Sequence, residues 1–200
     1  MIRSLFATRF YEGQLGDAAL LERLERSCRA LAEDDQAGRR WSRDQGYRGY
    51  TSYASLNDLT VRDPDFAALA RKLGGHVRAF ADACAFDLGG RRLKLDSLWA
   101  NILKGGGGHS GHLHPHSIVS GTLYVAVPPG SGQLKLEDPR LPMMMAAPTR
   151  RADAPEELRT FVYAQPEPGT IFLWESWLRH EVVPGKGPGE RISISFNFGL

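Results

Sequence analysis

Cysteine, excess charge and long apolar runs are all scarce in this chain. Cys28 and Cys84 are the only two cysteines among 200 residues, too few for a disulfide framework. Both fall on the apolar faces of predicted helices, so buried free thiols are expected, as in a reducing cytoplasm. The 25 Lys and Arg residues nearly balance the 23 Asp and Glu, and a net charge of +2 gives no case for nucleic acid or an anionic membrane surface as partner. No stretch approaches the roughly 20 apolar residues of a membrane span. The opening MIRSLFATRFYEG has an early Arg3 but no long apolar run and no small-residue cleavage site, so it reads as mature protein. Internal repeats and low-complexity tracts are also missing. What remains is ordinary soluble composition, 42% hydrophobic and 24% charged, in a chain long enough to bury a core without help from a disulfide or a metal.

The pattern changes period part-way along the chain. Residues 2–11 read as a short strand or extended entry segment. Asp17 can cap a helix to about residue 35, with Leu20, Leu21, Leu24, Cys28 and Leu31 at helical spacing. Residues 37–60 read as irregular, rich in Gly, Tyr and Ser. Asp63 followed by Pro64 marks a second helix start, and Phe66, Leu69, Leu73, Val77, Phe80 and Cys84 give its apolar face. Gly74-Gly75 should weaken that helix or break it in two. After Gly89-Gly90, alternation takes over through residues 93–101. Further strands are expected at 118–127, 133–137, 160–164, 170–174, 180–183 and 191–198, separated by the turns PPGSG, PEPG and PGKGPG. Two helices followed by many short strands predict one domain over 1–200. Helical support spans 1–90 and a sandwich or barrel core spans 91–200. Residues 141–159 read as a long loop with a helical turn, placed to act as a lid and carrying an apolar run at 143–145.

Histidine is where chemistry concentrates. His109, His112, His114 and His116 lie within one eight-residue stretch of GGGGHSGHLHPH, and His180 is the only histidine downstream. On an extended segment His112 and His114 point to the same face, and Pro115 biases His114 toward that conformation. Two imidazoles on one face can take adjacent positions on a metal, and His180, at a predicted strand start, can supply the third. His109 and His116 read as loop or supporting residues, with either able to replace a member of the pair. Arg191 follows His180 by eleven residues and opens the next predicted strand, joined by the PGKGPG turn as an antiparallel neighbour. Alternation in RISISFNF puts Arg191, Ser193 and Ser195 on one face and Ile192, Ile194 and Phe196 on the other. Such an Arg either faces solvent beside Glu190 or lines a cavity, and in a cavity it demands an acidic ligand or an internal acid.

The run HLHPHSIVSGTLYVAVPPGSGQLKLEDPR, with PGTIFLWESWLRHEVVPGKGPGERISISFNF, resembles a bacterial branch of the 2-oxoglutarate/Fe(II)-dependent oxygenases, and at longer range the prolyl-hydroxylase-like enzymes. The likeness covers about residues 95–198, with a weaker echo in LFATRFYEGQL. It implies a mainly β chain, a double-stranded β-helix (jelly roll, cupin-like) with the N-terminal helices packed outside. It implies Fe(II) at His112, His114 and His180, and Arg191 with Ser193 as the pair that binds 2-oxoglutarate as cosubstrate. Asn101 and Tyr124, on flanking strands, are candidates to bond the cosubstrate or support the histidines. Trp174 and Trp177 read mainly as packing. Glu137 and Asp138 read as turn residues. The sequence departs from the wider superfamily at one place: where an Asp or Glu ligand is usual, it has His114. That substitution removes one negative charge from the metal and leaves its positions open to cosubstrate and dioxygen.

The resemblance implies a hydroxylase-type oxygenase whose substrate, a small molecule or peptide, it does not name. The cysteines point to the cytoplasm, charge and hydropathy give no nucleic acid or membrane partner, and a homodimer is the base-rate expectation. Two readings compete with it. One is a cupin-like three-histidine metalloenzyme that uses no 2-oxoglutarate, which would have no need of Arg191. The other is a non-catalytic metal-binding protein, but purely structural sites normally close with four ligands. Selectivity is expected from the Tyr-rich segment 47–53 and the 141–159 loop.

Overall fold

The computed structural model describes residues 1–56 and 58–200. In chain order the elements are β1 (Phe10–Gln14), α1 (Ala18–Asp34), α2 (Gln36–Asp44), β2 (Gly49–Thr51), α3 (Leu59–Arg62) and α4 (Pro64–Ala83). Then come β3 (Lys94–Leu103), β4 (His109–His112), β5 (Val119–Ala126), β6 (Leu134–Glu137), β7 (Phe161–Ala164), β8 (Thr170–Glu175), β9 (His180–Val182) and β10 (Arg191–Gly199).

The strands form two antiparallel sheets. The larger runs β1-β8-β5-β10-β3-β2 and the smaller β4-β9-β6-β7. The larger sheet has two different faces because side chains alternate along each strand. On one face Ile192, Ile194 and Phe196 of β10 join Leu98, Ala100 and Ile102 of β3 and meet the helices through Leu20, Leu24, Phe66, Leu69, Leu73 and Phe80. On the other, Tyr124, Phe172 and Trp174 pack against Leu134 and Leu136 of the smaller sheet. This is a double-stranded β-helix with its N-terminal helices outside, as the family resemblance implied; the alternation alone pointed to a sandwich or barrel. No described helix is long and apolar enough to cross a membrane.

The helix starts follow their caps. Asp17 accepts from the Leu20 amide at 3.0 Å, and Asp63 from the Asp65 amide at 2.7 Å, with Pro64 in the first turn. Three sequence expectations change. The strand at the N-terminus is Phe10–Gln14, displaced from residues 2–11. Helix α4 runs unbroken through Gly74-Gly75, because Leu73 and Val77 on either side are buried and packing outweighs the propensity cost. The segment read as irregular holds α2, β2 and α3. Asn57, within it, lies outside the described residues. Helix α2 is hard to read because it is almost wholly polar. It is fixed by Asp35, whose carboxylate accepts from the Gly38 amide (2.9 Å), the Tyr50 hydroxyl (2.9 Å) and the Ser55 hydroxyl (2.5 Å).

One end of the barrel is closed by three glycine-rich loops. The Gly106 amide donates to the Gly185 carbonyl at 2.8 Å and the Lys186 amide to the Gly130 carbonyl at 2.8 Å. A Cβ on Gly132 would overlap the Val183 carbonyl, and one on Gly187 the Pro129 carbonyl, so only glycine lets these backbones approach.

Candidate metal centre and the cavity beneath it

His112 ends β4 and is the cross-strand partner of His180, the first residue of β9. Their rings lie 4.3 Å apart, centroid to centroid. His114 follows two residues on, its backbone tied by its amide to the Ser176 carbonyl at 3.0 Å. Its Nε2 comes to 3.4 Å from His180 Nε2. One ligand atom from each of the three histidines lies within 4.8 Å of the others, the only such group among the described residues.

Two of the three rings are held in a tautomer that leaves Nε2 free for a metal. His180 Nδ1 lies 2.9 Å from the Leu178 carbonyl, and His112 Nδ1 2.7 Å from the Ser110 carbonyl. A carbonyl can only accept, so each Nδ1 carries its proton and Nε2 keeps a free lone pair. Burial, reinforced by repulsion from His112, pushes the His180 pKa down to about 3 and those of His109 and His114 down to about 4. Burial also lowers His112. All four imidazoles are therefore neutral near pH 7. Glu137 and Asp138 stand outside the group, paired with Arg179 at 3.3 Å and Arg140 at 2.8 Å. His116 is exposed with a positive φ and takes no part.

Beneath the histidines lies a cleft of about 480 Å³, open mouth included, between the two sheets. Its floor is set by register: Ser193 of β10 pairs with Asn101 of β3 on one side and Tyr124 of β5 on the other. Arg191, at the closed end, is only 5% exposed, and its guanidinium carbon sits 4.7 Å above the centre of the Tyr124 ring. No acid pairs with it among the described residues. The expectation that His180 and Arg191 sit on neighbouring strands is corrected. Strand β9 belongs to the smaller sheet and β10 to the larger, so the two residues face one cleft from opposite walls. The PGKGPG segment crosses between sheets and does not close a hairpin.

Four buried polar side-chain atoms lack a hydrogen-bond partner among the described residues: Tyr47 Oη, Tyr124 Oη, Trp174 Nε1 and Arg191 Nε. All four residues line this one cleft. Each of the four atoms carries a proton to give that no described side chain accepts. Asn101 also lines it, with Oδ1 accepting from the Thr51 hydroxyl at 2.8 Å and Nδ2 donating to Ser195 Oγ at 3.1 Å. His109, read from sequence as a loop or supporting residue, lies in β4 with its ring 4.7 Å from that of His112. Tyr47, Trp99, Thr122 and Trp174 line the cleft too. Trp99 and Thr122 were legible only as strand residues. Residues 141–159 contribute nothing to its lining.

The family model described as "Putative 2OG-Fe(II) oxygenase" matches residues 97–197, about half of the chain, and the protein belongs to that family. No curated protein matches the chain. Solved structures share its fold at low identity. A prolyl-4-hydroxylase from Pseudomonas putida is 19% identical, with a TM-score of 0.61 over 96% of this chain and 94% of that one. HygX from Streptomyces hygroscopicus, solved with iron bound, is 14% identical, with a TM-score of 0.62 over 96% and 83%. The non-heme alpha-ketoglutarate-dependent epimerase SnoN of nogalamycin biosynthesis is 12% identical, with a TM-score of 0.67 over 96% and 77%.

Proposed function

We propose that the protein is an Fe(II)- and 2-oxoglutarate-dependent oxygenase of hydroxylase type, with iron held by His112, His114 and His180 and 2-oxoglutarate anchored by Arg191. The observation that carries the reading is the pairing of three convergent neutral imidazoles with an unpaired buried guanidinium at the opposite end of one cleft. A dicarboxylate with a keto group supplies the acceptors that the four orphaned donors lack. HygX has been solved with nickel and 2-oxoglutarate bound, which supports the same ligand here.

When bound, iron and 2-oxoglutarate would supply hydroxylation of a substrate C–H bond by dioxygen, one oxygen atom going to the substrate and the other to succinate as carbon dioxide is released. The chain's own residues do the positioning. The Leu178 and Ser110 carbonyls hold His180 and His112 with Nε2 toward the cleft. Arg191 meets the far carboxylate with its planar fork, and Tyr124 beneath it adds a hydroxyl. Ser193, between Asn101 and Tyr124 on the floor, offers another. Asn101 holds Ser195 in place and keeps one N–H for the cleft. Trp174 packs its ring against His180, centroids 4.6 Å apart. The glycine loops cover the Arg191 end, and we assign the substrate's approach to the histidine side. There Tyr53, 55% exposed, stands edge-on to Trp99, and Trp99 leans on His114. We assign this aromatic rim to the substrate, a small molecule or peptide, and place the enzyme in the cytoplasm, where its two free thiols stay reduced.

Anaerobic addition of Fe(II) and then 2-oxoglutarate tests the reading. A visible charge-transfer band that needs both is expected. Metal binding with no response to 2-oxoglutarate would favour a cupin-like three-histidine enzyme, and no metal binding a non-catalytic protein.

A further inference from the structure

Three of the four orphaned donors, on Tyr47, Tyr124 and Arg191, line the same cleft, and one of them comes from outside the region the family model matches. Tyr47 sits on the turn between α2 and β2, fifty residues before the matched region begins at residue 97. The turn is held rigidly. The Tyr47 amide donates to the Ser42 carbonyl at 2.8 Å, and the Gly49 amide to the Tyr47 carbonyl at 2.9 Å. Gly49 then pairs with Leu103 of β3 so closely that a Cβ there would overlap the Ile102 carbonyl. Beyond it, Thr51 is tied by its amide to Ser42 Oγ at 3.2 Å and by its hydroxyl to Asn101 at 2.8 Å. These contacts aim the Tyr47 ring into the cleft, where it meets His109 edge-on at 5.6 Å.

The hydroxyl at the end of that ring is buried and has no hydrogen-bond partner among the described residues. Strand register sets Gly49, two residues past Tyr47, and Arg191 on either side of Leu103. Burial drives the Tyr47 and Tyr124 phenols up, and the Arg191 charge pulls both back. Both phenols therefore stay protonated, and each has a proton to donate.

We propose that Tyr47, supplied by the N-terminal helical segment, is a binding residue for the far carboxylate of the cosubstrate, completing a clamp with Arg191 and Tyr124. The proposal rests on the 2-oxoglutarate reading. A carboxylate has two oxygens with about four acceptor sites. The guanidinium fork and two phenols fill them from three different elements: the α2–β2 turn, β5 and β10. Docking of the helical segment then becomes a condition for cosubstrate binding, because the same turn that packs on β3 carries the donor.

The test compares wild type with Tyr47→Phe, which removes one oxygen and keeps the ring against His109. Calorimetry with the Mn(II)-loaded protein measures binding of 2-oxoglutarate and of 2-oxobutyrate, which keeps the keto acid and lacks the far carboxylate. Tyr47→Phe is expected to weaken 2-oxoglutarate by about ten- to a hundredfold, the range for a hydrogen bond to a charged group, and to leave 2-oxobutyrate and Mn(II) affinities unchanged. Equal 2-oxoglutarate affinity in both proteins overturns the proposal and leaves the hydroxyl to a buried water. Equal weakening of both keto acids also overturns it, since that is a packing effect on the metal end. A wild type that binds Mn(II) but not 2-oxoglutarate refutes the cosubstrate reading itself, and the clamp with it.

Discussion

Arg191 lies over the face of Tyr124, its guanidinium carbon 4.7 Å from the ring centre, and neither Arg191 Nε nor Tyr124 Oη has a hydrogen-bond partner among the described residues. A fixed cation buried beside an aromatic face and no acid is poorly solvated when the cleft holds no anion. Two effects of opposite sign follow for Arg191→Met. Cosubstrate affinity should fall by about 2–5 kcal/mol, the loss for one partner of a desolvated charge pair. Stability of the ligand-free protein should rise by about 1–3 kcal/mol, because an unsatisfied buried group is gone. Calorimetry and urea melts on the same preparations read both. A variant less stable than wild type would show that Arg191 is already satisfied without ligand.

The three histidines make a sharper claim about metal. His180→Ala should remove most affinity for Fe(II) or Mn(II), since His112 and His114 alone leave the third position of the group empty. His116→Ala, on an exposed residue, should change nothing. His114→Asp restores the charge that the superfamily places there and should keep metal binding while shifting preference toward Mn(II) over Zn(II), as oxygen ligands do. Metal content after dialysis, measured for each variant, decides. Full metal occupancy in His180→Ala would break the assignment of the site.

Much of this was legible in sequence wherever one face of an element is buried. The alternation of RISISFNF separated Ile192, Ile194 and Phe196, now against the helices, from Arg191, Ser193 and Ser195, now in the cleft. The spacing of His112 and His114 was legible for the same reason. What sequence hid was long-range. Which sheet receives β9 or β10 depends on how the chain crosses between sheets, and PGKGPG reads as a hairpin turn just as well. Tyr47 carried only its place in a Tyr-rich stretch, because the helix that delivers it is polar and rests on the buried carboxylate of Asp35.

The glycine pair in α4 gives a prediction about stability alone. Gly74 and Gly75 lie inside the helix, and a Cβ at either would meet nothing within 4 Å. Alanine there restricts the unfolded chain and improves helix propensity without a clash. Gly74→Ala and Gly75→Ala should each stabilise by about 0.5–1 kcal/mol. Thermal melts should show the two gains adding roughly, with metal affinity unchanged. A loss on either substitution would mean that the helix needs to yield there.

Acid should destabilise the metal-free protein, for reasons that lie in the same cleft. Burial and then His112 hold His180 down to about 3 and His109 and His114 down to about 4. In the unfolded chain these rings take up protons at the ordinary imidazole value of about 6.5. Between that value and the folded ones, the unfolded state binds more protons than the folded state, so the free energy of unfolding falls as pH falls. Above about 6.5 both states are neutral and the effect vanishes. The melting temperature of the apo protein should therefore hold steady down to about pH 6.5 and drop from there toward about pH 4, where the folded-state imidazoles begin to take up protons. His180→Leu, which removes the most depressed ring, should flatten that drop while losing the metal. A flat acid profile in wild type, or an unchanged slope in His180→Leu, would contradict the picture of imidazoles kept neutral by the cleft.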